Sequence, residues 1–373
     1  MKHPPLSDLN AVPSTLMRGG TSRGPFFVEA DLPTEAAIRN EVLLAALGSP
    51  DRRQIDGIGG AHPLTSKAGI VRRSTTPGVD LDFIFAQLQP DSDKVDLSPN
   101  CGNMLAAVLP FALERGLIVP GDGETTARIL TLNTGMQCDV TMLTPKGCLQ
   151  FMGNARIDGV PGTAAPVLIN FLDTAGSVCS SLFPTCRLLD RIDISGRVVD
   201  TTLIDNGMPM VLVRANDFGV TGYESVADMN RHLQLKTELE KLRLAAGSLM
   251  GLGDVLDKNY PKMCLIAAPR DGGSITTRCF IPHVCHDAIG VLAAVTVATA
   301  CVMPGTVAEG IACVPEGTVK KISVEHPTGE FSVELELDPF IPTKVTRAAL
   351  LRTARPIMRG EILIPEYVFK EKI

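Results

Sequence analysis

Two apolar helical segments, related by an offset of 187 residues, constrain this chain more than any other feature. Leu105-Ala106-Ala107-Val108 is echoed by Leu292-Ala293-Ala294-Val295. Around each, the sequence reads mainly as strands. Apolar and polar residues alternate from Val79 to Phe85, the period of a half-buried strand, and similar runs begin near residues 15, 25, 69, 127, 137, 149, 198, 210, 263, 275, 319 and 331. Helices are expected only at 34–47, 102–114, 225–230, 233–250 and 288–301. Each apolar helix follows a strand-rich segment and a turn, so the chain reads as two copies of one unit. The expected class is therefore α+β, two mostly antiparallel, barrel-like sheets each wrapped on a buried central helix. Turn formers crowd residues 159–184, which predicts an N-terminal domain of 1–182 and a C-terminal domain of 183–373. Two such halves facing each other would create a cleft, a preferred place for a small-molecule site.

Composition removes several function classes. A net charge of −6, three Tyr and no Trp favour neither nucleic acid nor anionic membranes as partners. Met1-Lys2-His3-Pro4-Pro5 lacks the apolar core of a leader, and no apolar run reaches the roughly 20 residues of a bilayer span, so a cytoplasmic location is expected. Ten scattered cysteines without a Cys-x-x-Cys pair predict neither a disulfide framework nor a zinc site, despite the proximity of Cys279, His283, Cys285 and His286.

The strongest chemical signal is Ser98-Pro99-Asn100-Cys101-Gly102-Asn103, directly ahead of the first apolar helix. With Asn100 as N-cap, Cys101 falls on the first turn, where free amides and the positive dipole end favour a thiolate. Lone cysteines are commonly inert core residues; polar neighbours and Gly102 distinguish this one. Projecting Cys101 forward by the repeat offset lands on Ala288, with Cys285 three residues short. A symmetric two-thiol mechanism is therefore not expected, and the partner acid or base comes from elsewhere. Lys67 ends a second Gly/Ser/Thr run, Gln54 to Ser66, and a partly desolvated lysine there suits a general base. The loop Arg18-Gly19-Gly20-Thr21-Ser22 lacks P-loop features but offers donors for an anion. In the second half, Asn206, Arg278, His283 and His286 add further donors. Together these suit a di- or tricarboxylate.

Taken together, Met17-Arg18-Gly19-Gly20-Thr21-Ser22, Gln54-Ile55-Asp56-Gly57-Ile58-Gly59-Gly60, Thr65-Ser66-Lys67 and Asn100-Cys101-Gly102-Asn103 resemble the PrpF-like isomerases, relatives of diaminopimelate epimerase. The likeness continues through Asp205-Asn206-Gly207-Met208-Pro209, Pro261-Lys262-Met263-Cys264 and Ile281-Pro282-His283. Arg23 departs from it, standing where the family loop carries lysine. The resemblance implies paired barrels around helices, no cofactor, a homodimer, and Lys67 with Cys101 as catalytic pair. It also implies a tautomerase that shifts a proton and a double bond in an unsaturated keto-tricarboxylate, on the oxalomesaconate branch of gallate catabolism, with a methylaconitate or aconitate isomerase of the same family as the alternative. Arg18, Gly20, Thr21, Ser22, Ser66, Asn100, Gly102, Asn103, Asn206, Arg278, His283 and His286 are the expected substrate-binding residues. A non-catalytic carboxylate-binding protein on the same fold is the alternative from another class.

Overall fold

The computed structural model describes residues 8–172, 174–341 and 344–370; Met1–Pro5, read above for a leader, lie outside them. Contacts divide the chain into two compact units, Met1–Leu172 with Arg352–Ile373, and Asp173–Leu351. The first carries β1 (Leu9–Gly19), β2 (Ser22–Val28), α1 (Ala36–Leu47), β3 (Lys67–Arg73), β4 (Leu81–Leu88), the short β5 (Val95–Asp96), α2 (Gly102–Leu105), α3 (Val108–Glu114), β6 (Gly123–Thr131), β7 (Met136–Thr144) and β8 (Pro166–Phe171). The second carries β9 (Asp190–Ile194), β10 (Arg197–Asp205), β11 (Pro209–Arg214), α4 (Val226–Arg231), α5 (Leu233–Leu249), β12 (Lys262–Ala267), β13 (Ile275–Phe280), α6 (Val291–Val302), β14 (Val319–His326) and β15 (Gly329–Leu337). A 21-residue strand, β16 (Val345–Pro365), ends the second unit and returns to the first.

The duplication is written in the strand pairing. From β1 to β4 the successive ladders are antiparallel, parallel and antiparallel; β4 then pairs β6 in parallel, and β6–β7 and β7–β8 are antiparallel. Starting from β10 the second unit repeats that order through β16. Helices fall in the same gaps, because a parallel neighbour requires a crossover. Thus α1 matches α4 and α5, and α2 with α3 matches α6. In the first unit β16 runs beside β1, from Leu9 opposite Pro365 to Gly19 opposite Ala354, and closes an eight-strand ring.

Side-chain alternation sorts each sheet into two faces. One faces the central helix: α2 packs on β1 and β2, α3 on β3 and β7, and α6 on β10, β11, β14 and β15. Such a helix has no polar side, and α6 is buried along Ala293–Val302. Its two threonines return their hydroxyls to helix carbonyls, Thr296 to Leu292 at 2.9 Å and Thr299 to Val295 at 2.8 Å. The other face is covered by α1, whose Val42, Leu43 and Leu47 pack with Phe27, Ile70, Leu88 and Ile364. In the second unit α5 covers Val211, Met263, Leu265 and Phe280.

Four expectations need correction. The helix expected over 102–114 is interrupted at Ala106 and Ala107, because Pro110 has no N–H to donate to the Ala106 carbonyl. Ala107 instead bonds back to Met104 at 2.9 Å, and α3 starts afresh at Val108. Cys101, rather than Asn100, is the N-cap of α2. Residues 149–157 form no strand; they make one isolated bridge, Ala155 to Ala164, and Gly153 lies so close to the Ala165 backbone that no side chain fits. Finally, the first unit ends at Leu172, after β8 has used part of the expected linker as its last consecutive strand, and residues 352–373 belong with it because β16 pairs with β1.

Candidate active site

Lys67 is the first residue of β3, and strand alternation turns it to the same side as Gly69 and Val71, away from the α1 face occupied by Ala68 and Ile70. The side chain is buried, and no carboxylate pairs with it among the described residues. Its Nζ donates to Gln87 Oε1 at 2.9 Å, lies 3.6 Å from Cys101 Sγ and stands 5.0 Å from the centre of the Phe85 ring. Gln87, directly opposite Lys67 in the β3–β4 ladder, holds its oxygen toward the lysine because its amide nitrogen donates to the carbonyls of Pro63, Ser66 and Leu88. Sequence reasoning missed Gln87; its only signal is a register that exists once the strands are paired.

Cys101 caps α2 with an extended backbone, and the first intrahelical bond runs from Leu105 N to the Cys101 carbonyl at 2.9 Å. The Gly102 and Asn103 amides precede that bond, so they have no partner within the helix. Asn103 fills the space above Gly19 and Gly20, and its Nδ2 donates to Thr21 Oγ1 at 3.0 Å. Gly20 takes a left-handed φ of +51° there, open to glycine and shared with little else. Three buried polar atoms by this hairpin turn have no protein partner, Asn103 Oδ1, Ser22 Oγ and Arg23 Nε. Buried orphans of this kind are costly unless a ligand or water completes them. Lys67, Cys101, Gly102, Asn103, Gly20, Thr21 and Ser22 are thus gathered around one turn of helix.

Other expected residues serve the framework. The Ser66 hydroxyl donates to Gln54 Oε1 at 3.0 Å and to the His62 carbonyl at 2.9 Å, so the second glycine-rich run is folded around the Gln54 side chain. Arg18 Nη1 donates to the carbonyls of Gly20 and Thr353 and to Thr353 Oγ1, bracing the hairpin; burial, with Arg355 nearby, lowers its pKa. Asn100 ties its loop to Thr131 and Thr134.

The four candidates of the second unit are not brought together as expected. The Asn206 side chain accepts from Thr174 Oγ1 at 2.6 Å and donates to Thr299 Oγ1 at 2.9 Å, the second bond fastening the β10–β11 turn to α6. Arg278 shares a strand face with Phe280, the face covered by α5, and donates to the Glu224 and Thr277 carbonyls. His283 Nδ1 lies 3.4 Å from Glu240 on α5. His286 is exposed and anchored through its amide to the Cys279 carbonyl. Cys285, the other thiol near the repeat position, is pushed up to about 12, chiefly by burial and then by Cys279. Among the described residues no cluster of three or more His, Cys, Asp or Glu is arranged to hold a metal ion.

A duplicated sheet-around-helix unit, with a buried lysine set against a cysteine at the start of the enclosed helix, defines the structural class. The chain belongs to the PrpF family, whose model matches residues 9–365. It is 50% identical to the (4E)-oxalomesaconate Delta-isomerase of Novosphingobium sp. (strain KA1), over 96% of this chain and 98% of that protein. It is 48% identical to the 4-oxalomesaconate tautomerase of Pseudomonas putida, over 95% and 96% of the two chains. The crystal structure of a methylitaconate-delta-isomerase superposes with a TM-score of 0.86 at 31% identity, covering 98% of both.

Proposed function

We propose that this protein is a 4-oxalomesaconate tautomerase, moving a proton and with it a double bond in an unsaturated keto-tricarboxylate, with Lys67 and Cys101 as its acid/base pair. The observation that carries this reading is the 3.6 Å approach of Lys67 Nζ to Cys101 Sγ, in a chain half identical to a protein named for that chemistry. A C–H beside a ketone and an alkene is acidic because its carbanion delocalises as a dienolate. One member of the pair removes that proton and the other returns one at the far end of the conjugated system. Lys67 is the base in this scheme. The amides of Gly102 and Asn103 supply donors for the developing enolate oxygen. Ser22 Oγ, unused by the protein, supplies a further hydroxyl donor for a substrate carboxylate.

No helix is long and apolar enough to cross a membrane among the described residues. The proposal includes a cytoplasmic location, homodimerisation and catalysis without a bound cofactor. The test is incubation with 4-oxalomesaconate, methylaconitate and aconitate in deuterated buffer, following each conjugated chromophore and deuterium uptake by NMR. Turnover and exchange with oxalomesaconate are expected. Their absence, or turnover of methylaconitate alone, refutes the assignment.

A further inference from the structure

Strand order alone picks out a second lysine. Lys67 opens β3, the strand lying parallel to the second arm of the β1–β2 hairpin. In the repeat, the strand lying parallel to the second arm of the β10–β11 hairpin is β12, and it opens with Lys262. Parity agrees as well. Met263 and Leu265 point to the α5 face, which turns Lys262 and Cys264 to the side of α6, as Lys67 turns to the side of α2.

The surroundings of Lys262 differ from those of Lys67 in one informative way. The Lys67 side chain has Gln87 and Cys101 as neighbours, whereas the half-buried Lys262 side chain makes no hydrogen bond or ion pair among the described residues. Its Nζ would lie 3.9 Å from a β-carbon on Gly290, the residue that caps α6. Burial holds the ammonium below the usual lysine range, with the nearby Cys279 acting in the opposite sense. By helix cap the Cys101 position of the repeat is Gly290, and by the 187-residue offset it is Ala288, so no thiol stands at the matching place.

We propose that Lys262 anchors a carboxylate-binding site in the second unit, the counterpart of the Lys67 site with its acid/base partner lost and its positive charge kept. A partly desolvated ammonium without an acceptor is unfavourable until an anion arrives. A single ammonium matches the single charge of a carboxylate, whereas a phosphate dianion calls for further cations. The nearest arginine on the neighbouring strand, Arg278, faces the other side of the sheet and is bonded there.

The test uses the full chain as wild type, Lys262→Met and Lys262→Arg, with melting curves to establish that each is folded. Calorimetric titration with citrate, a carboxylate ligand the proposed reaction does not consume, is expected to weaken about ten- to a hundredfold in K262M and to recover largely in K262R. If the carboxylate belongs to the substrate, which rests on the proposed function, KM for 4-oxalomesaconate rises by a similar factor, the loss falls on KM more than on kcat, and citrate inhibits competitively. If it belongs to a separate ligand, citrate binding weakens while KM stays. Should wild type fail to turn over oxalomesaconate yet lose citrate affinity on substitution, the functional reading fails and the site stands. Unchanged citrate affinity and unchanged KM in folded K262M overturn the proposal.

Discussion

Gly24→Ala tests the placement of Lys67 without touching either reacting group. Gly24 sits beside Lys67 in the parallel β2–β3 ladder, and a β-carbon there would lie 1.8 Å from the Lys67 carbonyl oxygen. Real β-carbons stay beyond about 3.0 Å, so one backbone must retreat by roughly 1.2 Å. The φ of Gly24 is ordinary, and the only other close neighbour is the flexible tip of Met104 at 3.3 Å, which leaves the Lys67 backbone as the main obstacle. Displacing a reacting group by about 1 Å costs on the order of a hundredfold in rate. Overpacking of this kind costs roughly 1–3 kcal/mol, a fall in Tm of about 1–4 °C for a protein of this size. The assay is turnover of 4-oxalomesaconate well below the melting range, beside Gly360→Ala as control. A β-carbon at Gly360 meets nothing within 4 Å, so that variant should keep both activity and Tm. If G24A is folded and turns over at more than a third of the wild-type rate, the position of Lys67 on β3 does not govern the chemistry and the reasoning fails.

Four further outcomes are expected. Lys67→Met and Cys101→Ala should each lower turnover at least about a hundredfold with little change in melting, and near-normal turnover of K67M would end the acid/base assignment. Activity should survive exhaustive chelation; loss restored by one divalent ion would contradict the metal-free scheme. Arg243→Met removes a fully buried guanidinium that holds Glu240 and the carbonyls of Val255, Leu256, Lys258 and Tyr260. It should cost about 3–5 kcal/mol, and a Tm loss under 3 °C would show that the segment leading to β12 does not depend on it. The Glu325 carboxyl is held below the usual range: burial opposes its charge, but the amides of Arg270, Asp271 and Gly273 and the Thr276 hydroxyl outweigh it. That contribution is present above an unfolded pKa of about 4.3 and is lost as pH falls through the folded value. The Tm gap between wild type and Glu325→Gln should therefore shrink from pH 7 to pH 3, and a constant gap would refute it.

Features carried by local pattern were legible in the sequence. The Leu-Ala-Ala-Val echo announced the duplication because a helix inside a sheet must be apolar on every side. The Gly/Ser run ahead of Lys67 and the polar turn at Cys101 marked the two residues that the fold brings to 3.6 Å. What stayed hidden depends on register and face. Gln87 is an unremarkable strand residue until β3 and β4 align. Arg278 and His283 look like ligands until Phe280, one strand step away, assigns their side of the sheet to α5. The strand over Val345–Pro365 escaped notice because arginines interrupt its alternation and its two ends serve different partners, β15 and β1. Pro110 was a readable signal, since a proline within 102–114 should have divided the helix.

That last strand has a consequence for synthesis. The segment that flanks β1 emerges only after the whole second unit has been made, roughly 180 residues after Leu172. At about 5–20 residues per second, the first unit waits roughly ten to forty seconds on the ribosome with β1 as a bare edge. A strand of eleven residues whose other side pairs β2 only over Thr15–Gly19 invites pairing with the wrong chain along its open edge for all of that interval. Pro13 and Arg18 interrupt its hydrogen-bonding and apolar character, the kind of residues that blunt such an edge until the chain's own strand arrives.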